Sequence, residues 1–416
     1  MRRVGSALCI IILAGCSSMP ATSSLPAASR AATGRTGSDG FQVLHAFSSS
    51  KNGKVPVGTL LAVNGTLYGT TNFGGDPDKS CYPGNGCGTV FSLTGSSDEA
   101  VIYRFKGLST GTRPYAGLID LDGTFYGTTQ TGGKKNEGGV FSLTPSGGTE
   151  HLVFAFGGKD GNDPRAGLTS VKDALYGTTY YGGTAGTGTV FTVSTSGTEK
   201  VLHSFQSGSG DGSLPLGTLL SYNGVLYGTT SSGGTSRAGT VFKINPDGSG
   251  YGVLYNFKAG KTDGAFPFAG LIELNGTLYG TTEQGGAHNK GTVFAITTSG
   301  SESVLHSFGE GTDGAEPFAG LTVLNGQLYG TTAYGGTSGK DAGPNVKRKL
   351  TSQGTIYTIA PSGSEQVLHS FTGGPGGRVP YASLTAMNGA LYGVTIWGGN
   401  LKGPKGGVGT VFELTP

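Results

Sequence analysis

Four aromatic side chains, Phe73, Tyr181, Tyr334 and Trp397, each stand directly ahead of a Gly-Gly pair at corresponding points of the chain. Flat rings beside polar groups can stack on sugar faces or anchor a protein partner. The same rings can also pack between loops and meet no ligand. Other copies carry Thr131, Ser232 and Gln284 at that point. These four aromatics are the candidate ligand-binding residues. No catalytic residue, metal set or cofactor is assigned.

Acidic and basic groups give weaker patterns. Asp160, Asp211, Asp263 and Asp313 each precede a glycine. They can line a cation or ligand site, but Asp-Gly is also ordinary turn chemistry, and no segment supplies the ligand spacing of a calcium loop. His45, His203, His306 and His369 occupy equivalent strand positions. Such positions are spread around a repeat architecture, so packing or hydrogen bonding is expected of them rather than metal binding. Glu283, Glu316 and Asp341 break the repeat pattern and are the acid–base groups an envelope polysaccharide hydrolase or lyase would need to bring together. Gly260-Lys261-Thr262 resembles the end of a phosphate loop, but Tyr255 stands where its first glycine belongs. The net charge of +3 and the single basic cluster, Lys347-Arg348-Lys349, provide no nucleic-acid-binding stripe.

The amino-terminal residues point to export. Arg2 and Arg3 precede an apolar run through Leu8–Leu13, and Leu13-Ala14-Gly15-Cys16 resembles the lipobox of bacterial lipoproteins. Residues 1–15 are therefore expected to be a signal peptide, with Cys16 lipidated. An ordinary signal peptide is the alternative. Residues 16–40 read as the lipidated cysteine and a flexible tether, because Ser, Thr, Ala, Pro and Gly there cannot bury a core. Cys81 and Cys87 bracket a short turn-rich loop, where a disulfide suits an oxidising compartment. Two cysteines without nearby histidines make only half a metal site.

The elements that position all these residues repeat. A Leu/Phe-Tyr-Gly signature places tyrosines at 68, 126, 176, 227, 279, 329 and 392, with steps of 58, 50, 51, 52, 50 and 63 residues. Each copy reads as four strands. In the fifth, Ala269–Leu274 and Leu278–Thr282 flank Asn275-Gly276, a type I′ hairpin signal. The third copy departs there with Lys172-Asp173. The Gly-Gly pair, a Gly-Thr-Val-Phe strand and a Val-Leu-His-Ser-Phe strand follow. The expected fold for residues 41–416 is all-β, a seven-bladed β-propeller of four-stranded blades. A β-solenoid is the alternative, though its coils are usually shorter and lack repeated Asn-Gly hairpins. The folded body begins on a fourth strand and ends on a third, so strand 42–47 is expected to join the carboxy-terminal blade and close the ring.

The recurrent Leu-Tyr-Gly-Thr-Thr, Gly-Gly and Gly-Thr-Val-Phe segments resemble the GloVer tandem-repeat (choice-of-anchor) family of exported bacterial proteins. That resemblance implies surface export and repeats, and carries no established activity or catalytic residues with it. The expected function is that of an envelope-anchored, non-enzymatic propeller binding a protein or glycan through its long-loop face, the one carrying the loops between strands two and three and between successive blades. The alternatives are the hydrolase or lyase above and a purely structural surface protein. A membrane contact through Cys16 is expected, with the outer membrane favoured if the cell has two.

Overall fold

Strand-forming and turn-forming residues alternate in each repeat, and every repeat becomes one antiparallel sheet. In the computed structural model, residues 39–47, 51–75, 81, 85–95, 98–148, 150–206, 208, 210–337, 353–399 and 407–416 are described. The expected signal peptide, Cys16, most of the tether, Asp341 and Lys347-Arg348-Lys349 lie outside these residues. In the fifth blade, Ile272–Leu274, Thr277–Thr282, Thr292–Ile296 and Glu302–Ser307 pair in chain order. Asn275 and Gly276 turn the first hairpin with φ of 52° and 82°. Lys172 holds the same left-handed conformation, φ 54°, without an asparagine's ease there.

The recurrent letters of the repeat have separate mechanical uses. The second threonine of Thr-Thr joins the middle strands: Thr282 Oγ1 lies 2.8 Å from Thr292 Oγ1, and Thr71–Thr89 and Thr332–Thr355 repeat the contact. The first threonine reaches the next blade, as Thr281 Oγ1 donates to the Ala319 carbonyl at 2.8 Å and Thr128 Oγ1 to Ala166 at 2.9 Å. Gly280 lets the Phe294 ring lie on the second strand, since a Cβ there would stand 2.6 Å from Phe294 Cζ. Gly239 opens space for Pro267 of the next blade in the same way.

Seven such sheets form a ring, with the first strand of each nearest the axis. The core lies between blades: Tyr279, Val293 and Phe308 of the fifth pack with Leu328, Tyr357 and Ile359 of the sixth. Phe41–Ala46 pairs antiparallel with Thr410–Leu414, setting Phe41 opposite Leu414 and Ala46 opposite Thr410. Leu44 and Phe47 then pack with Leu67 and Phe91 of the first blade. The ring is thus closed by both ends of the folded chain, one residue from the expected start of the closing strand. Cys81 and Cys87 are disulfide-bonded and buried against Val90 and Phe105.

The fourth strands carry polar contacts between neighbouring blades. His203 Nε2 lies 3.2 Å from Asp211 Oδ2, His306 Nε2 lies 3.1 Å from Asp313 Oδ2, and His369 Nδ1 lies 2.6 Å from Asp39 Oδ2. Asp211, Asp263 and Asp313 each also accept the N–H of the following glycine. These side chains therefore hold turns and strands, and no group of three metal-ligating side chains occurs among the described residues.

Candidate functional site

The chain enters every blade through a residue followed by proline. Proline disfavours the right-handed helical region for the residue before it. Here that residue is left-handed in all seven blades: Val55, Arg113, Asp163, Leu214, Phe266, Glu316 and Val379 have φ between 55° and 59°. Two backbone hydrogen bonds hold the strained turn. The Phe266 N–H donates to Ala238 of the preceding blade at 2.8 Å, and its carbonyl accepts from the Glu283 N–H at 3.0 Å. Asp163 repeats this with Glu137 at 2.9 Å and Tyr180 at 3.1 Å. The turn delivers the residue after each proline to the ring axis.

Those residues line a cavity of about 160 Å³ to which all seven blades contribute. Its two sides differ. On one, Phe268, Phe318 and Tyr381 form a run of rings, with centroids 5.5 Å and then 5.0 Å apart. Tyr115 meets Tyr381 edge-on at 6.3 Å. On the other, the Arg165 guanidinium lies 4.2 Å from the Tyr180 ring centroid and donates twice to Asp163 Oδ2, at 2.9 and 2.6 Å. Away from the cavity lining, the buried Asn72 Nδ2 donates to Gln130 Oε1 at 3.4 Å between the first and second blades. Each of these two holds, in its blade, the place that Tyr180 holds in the third. The mouth thus offers an aromatic arc on one side and the Arg165 guanidinium on the other.

Glu283 occupies the corresponding position in the fifth blade. Burial, and then the neighbouring Glu316 carboxylate, raise its pKa above the ordinary carboxylate value. The Tyr381 phenol is pushed up by burial first and by Tyr115 and Glu283 after it. Lys290 Nζ stands 3.5 Å from Glu316 Oε1.

The four aromatics singled out from the sequence lie on the rim above this cavity. Phe73 pairs with Lys54, Tyr181 with Asn162, Tyr334 with Ala315 and Trp397 with Arg378. Each therefore sits where a connection between blades meets the start of a Gly-Gly loop. Tyr181 and Trp397 are 42% and 38% exposed, while Phe73 is half-buried beneath Arg113, 5.4 Å from its ring centroid. None of the four lines the cavity. The residues that do were legible only as a proline twelve positions ahead of each repeat tyrosine, followed by a large side chain in five copies: Tyr115, Arg165, Phe268, Phe318 and Tyr381.

Fold and cavity together define a seven-bladed β-propeller with an axial site at the mouth of its ring. The Gloeobacter/Verrucomicrobia repeat model matches residues 33–179, 80–289 and 153–343, and the chain belongs to that family. Among solved structures, an oligogalacturonate lyase in complex with manganese is similar over 90% of this chain and 92% of its own, at 9% identity and TM-score 0.51. A Bacteroides uniformis protein described as a candidate 6-phosphogluconolactonase is similar over 80% of this chain and 90% of its own, at 15% identity and TM-score 0.50. At such identities the likeness is one of fold. Comparison with curated proteins finds no match.

Proposed function

We propose that this chain is an envelope-anchored binding propeller whose ligand is an extracellular glycan held at the axial mouth. The observation that carries the reading is the two-sided cavity. A sugar ring has an apolar face of C–H groups and an edge of hydroxyls. The Phe268–Phe318–Tyr381 run suits the face, and the Arg165 guanidinium, held in place by Asp163, suits the edge. Arg165 is already neutralised by Asp163, which favours neutral hydroxyl recognition over capture of a strong anion.

Binding of dextran, xylan, pectin, alginate and chitosan to the full chain tests this reading. Trp397 is the only tryptophan, so its fluorescence reports events near the rim. Saturable binding is expected, weakened about tenfold in Phe318→Ala, as loss of roughly 1.4 kcal/mol of stacking requires. No binding to any of the five overturns the reading.

A second reading has its own observation. Glu283, its pKa raised by burial and then by Glu316, lies within electrostatic reach of Tyr381 on the cavity wall, as a glycan hydrolase or lyase would need. New reducing ends or unsaturated products, lost in Glu283→Gln while binding persists, would replace the binding reading with the enzymatic one.

The anchor belongs to the same proposal. Lipid on Cys16 would hold the propeller at the cell envelope, on the outer membrane where the cell has two. Incorporation of labelled palmitate that disappears in Cys16→Ser supports it, and unlabelled wild-type chain overturns it.

A further inference from the structure

The axial site is a well rather than a groove, and that restricts what a glycan can present to it. The Phe73, Tyr181 and Trp397 rim residues pair with Lys54, Asn162 and Arg378. The cavity-lining Val57, Arg165 and Tyr381 come three residues further along those same connections. Each blade lines the cavity with three successive residues that lead into its first strand, Val57–Thr59, Arg165–Gly167 and Tyr381–Ser383 among them, so the wall stands three residues deep. The ring is closed through Phe41–Ala46, and every blade contributes to the wall, so no side of the cavity is open to a chain passing through.

A linear polysaccharide laid across the mouth can touch the rim aromatics. It cannot bring an internal unit down to Phe268, Phe318 and Tyr381 without folding back on itself inside about 160 Å³. A chain end or a single-unit side branch can enter axially. Resting on the glycan reading above, we infer that the propeller recognises terminal units, chain ends or branch tips, and not internal units of a polysaccharide. The cavity selects the terminal sugar through the aromatic run and the Arg165–Asp163 pair. The rim guides the chain that follows it.

The test compares each polysaccharide that binds in the screen with the same polymer after partial endo-hydrolysis, at equal mass, by titration calorimetry with the full chain. Half-saturation is expected to follow the molar concentration of ends, so that shortening the chains tenfold lowers the mass required by about tenfold. Half-saturation at a constant mass, whatever the chain length, shows internal recognition and overturns the inference while leaving the glycan reading standing. Absence of binding by every polysaccharide removes both. Two variants separate well from rim in the folded protein, checked by circular dichroism. Phe318→Leu keeps an apolar side chain and should weaken intact and shortened glycans by the same factor. If Phe318→Leu binds as wild type while Trp397→Ala does not bind, recognition lies on the rim and the inference falls.

Discussion

The Tyr357 hydroxyl abuts the Cα of Gly330 in the sixth blade, where it is buried and has no hydrogen-bond partner. The other blades place Phe91, Phe141, Phe191, Phe242, Phe294 and Phe412 at this position, each ring lying against the glycine of its own Leu/Phe-Tyr-Gly segment. The tyrosine fills the same slot with an added polar atom whose hydration is lost on folding.

Tyr357→Phe should therefore stabilise the propeller. Removing an unsatisfied buried hydroxyl is worth about 1 kcal/mol. A higher urea midpoint at unchanged slope is the expected result, and a lower midpoint would show that the hydroxyl contributes a contact.

Gly280→Ala should destabilise for the complementary reason. Its Cβ would lie 2.6 Å from Phe294 Cζ and 2.9 Å from Leu271 Cδ2. Overpacking of this kind costs about 1–3 kcal/mol. In a double-mutant cycle, Phe294→Leu should recover part of the loss by shortening the side chain that collides.

Stability should fall as pH rises from about 4.5 to 7, in the range set by carboxyls at or just before the start of the fourth strands. Glu150, Glu199 and Glu302 are pushed up to about 7, chiefly by burial. Tyr103 faces Glu150, Asp160 lies near Glu199, and Asp263, Tyr255 and Lys258 surround Glu302. A raised carboxyl pKa means that the folded state holds the proton more tightly, so its contribution is complete below the unfolded value and is lost on ionisation. Asp39 and Asp211 have lowered pKa, burial being outweighed by hydrogen bonds that include those from His369 and His203. Their contribution fades only below their ordinary value of 3.8. Thermal melts should show a midpoint a few degrees higher at pH 5 than at pH 8. Replacing the three glutamates with glutamine should flatten that difference.

Cys81→Ser with Cys87→Ser should cost about 2 kcal/mol, the chain-entropy value for so short a ring. The loss should be confined to the connection between the first blade's second and third strands and the cysteines' contacts with Val90 and Phe105. Hydrogen exchange should quicken there while the strands of the fourth and fifth blades keep their protection.

Much of the architecture is set by short-range sequence. Leu-Tyr-Gly-Thr-Thr, Asn-Gly and Gly-Thr-Val-Phe carry strand propensity and turn chemistry within a few residues, so the four-stranded blade, its sevenfold repetition and the closing strand could all be read directly. The break at Lys172-Asp173 and the Cys81–Cys87 pair were legible for the same reason. Glu283 and Glu316 stood out as departures from the repeat, but their proximity did not. The axial well depended on tertiary structure. Tyr115 and Tyr381 lie 266 residues apart in the chain, yet their rings meet 6.3 Å apart. That meeting requires a closed ring and a fixed register between blades, imposed by contacts such as Pro267 over Gly239 and Thr281 to Ala319. No single repeat contains both partners of such a contact. The aromatics before Gly-Gly drew attention because they stand beside conspicuous glycines, but the blade's direction places them at the rim. The same direction turns the unremarkable residue after each proline into the wall of the site.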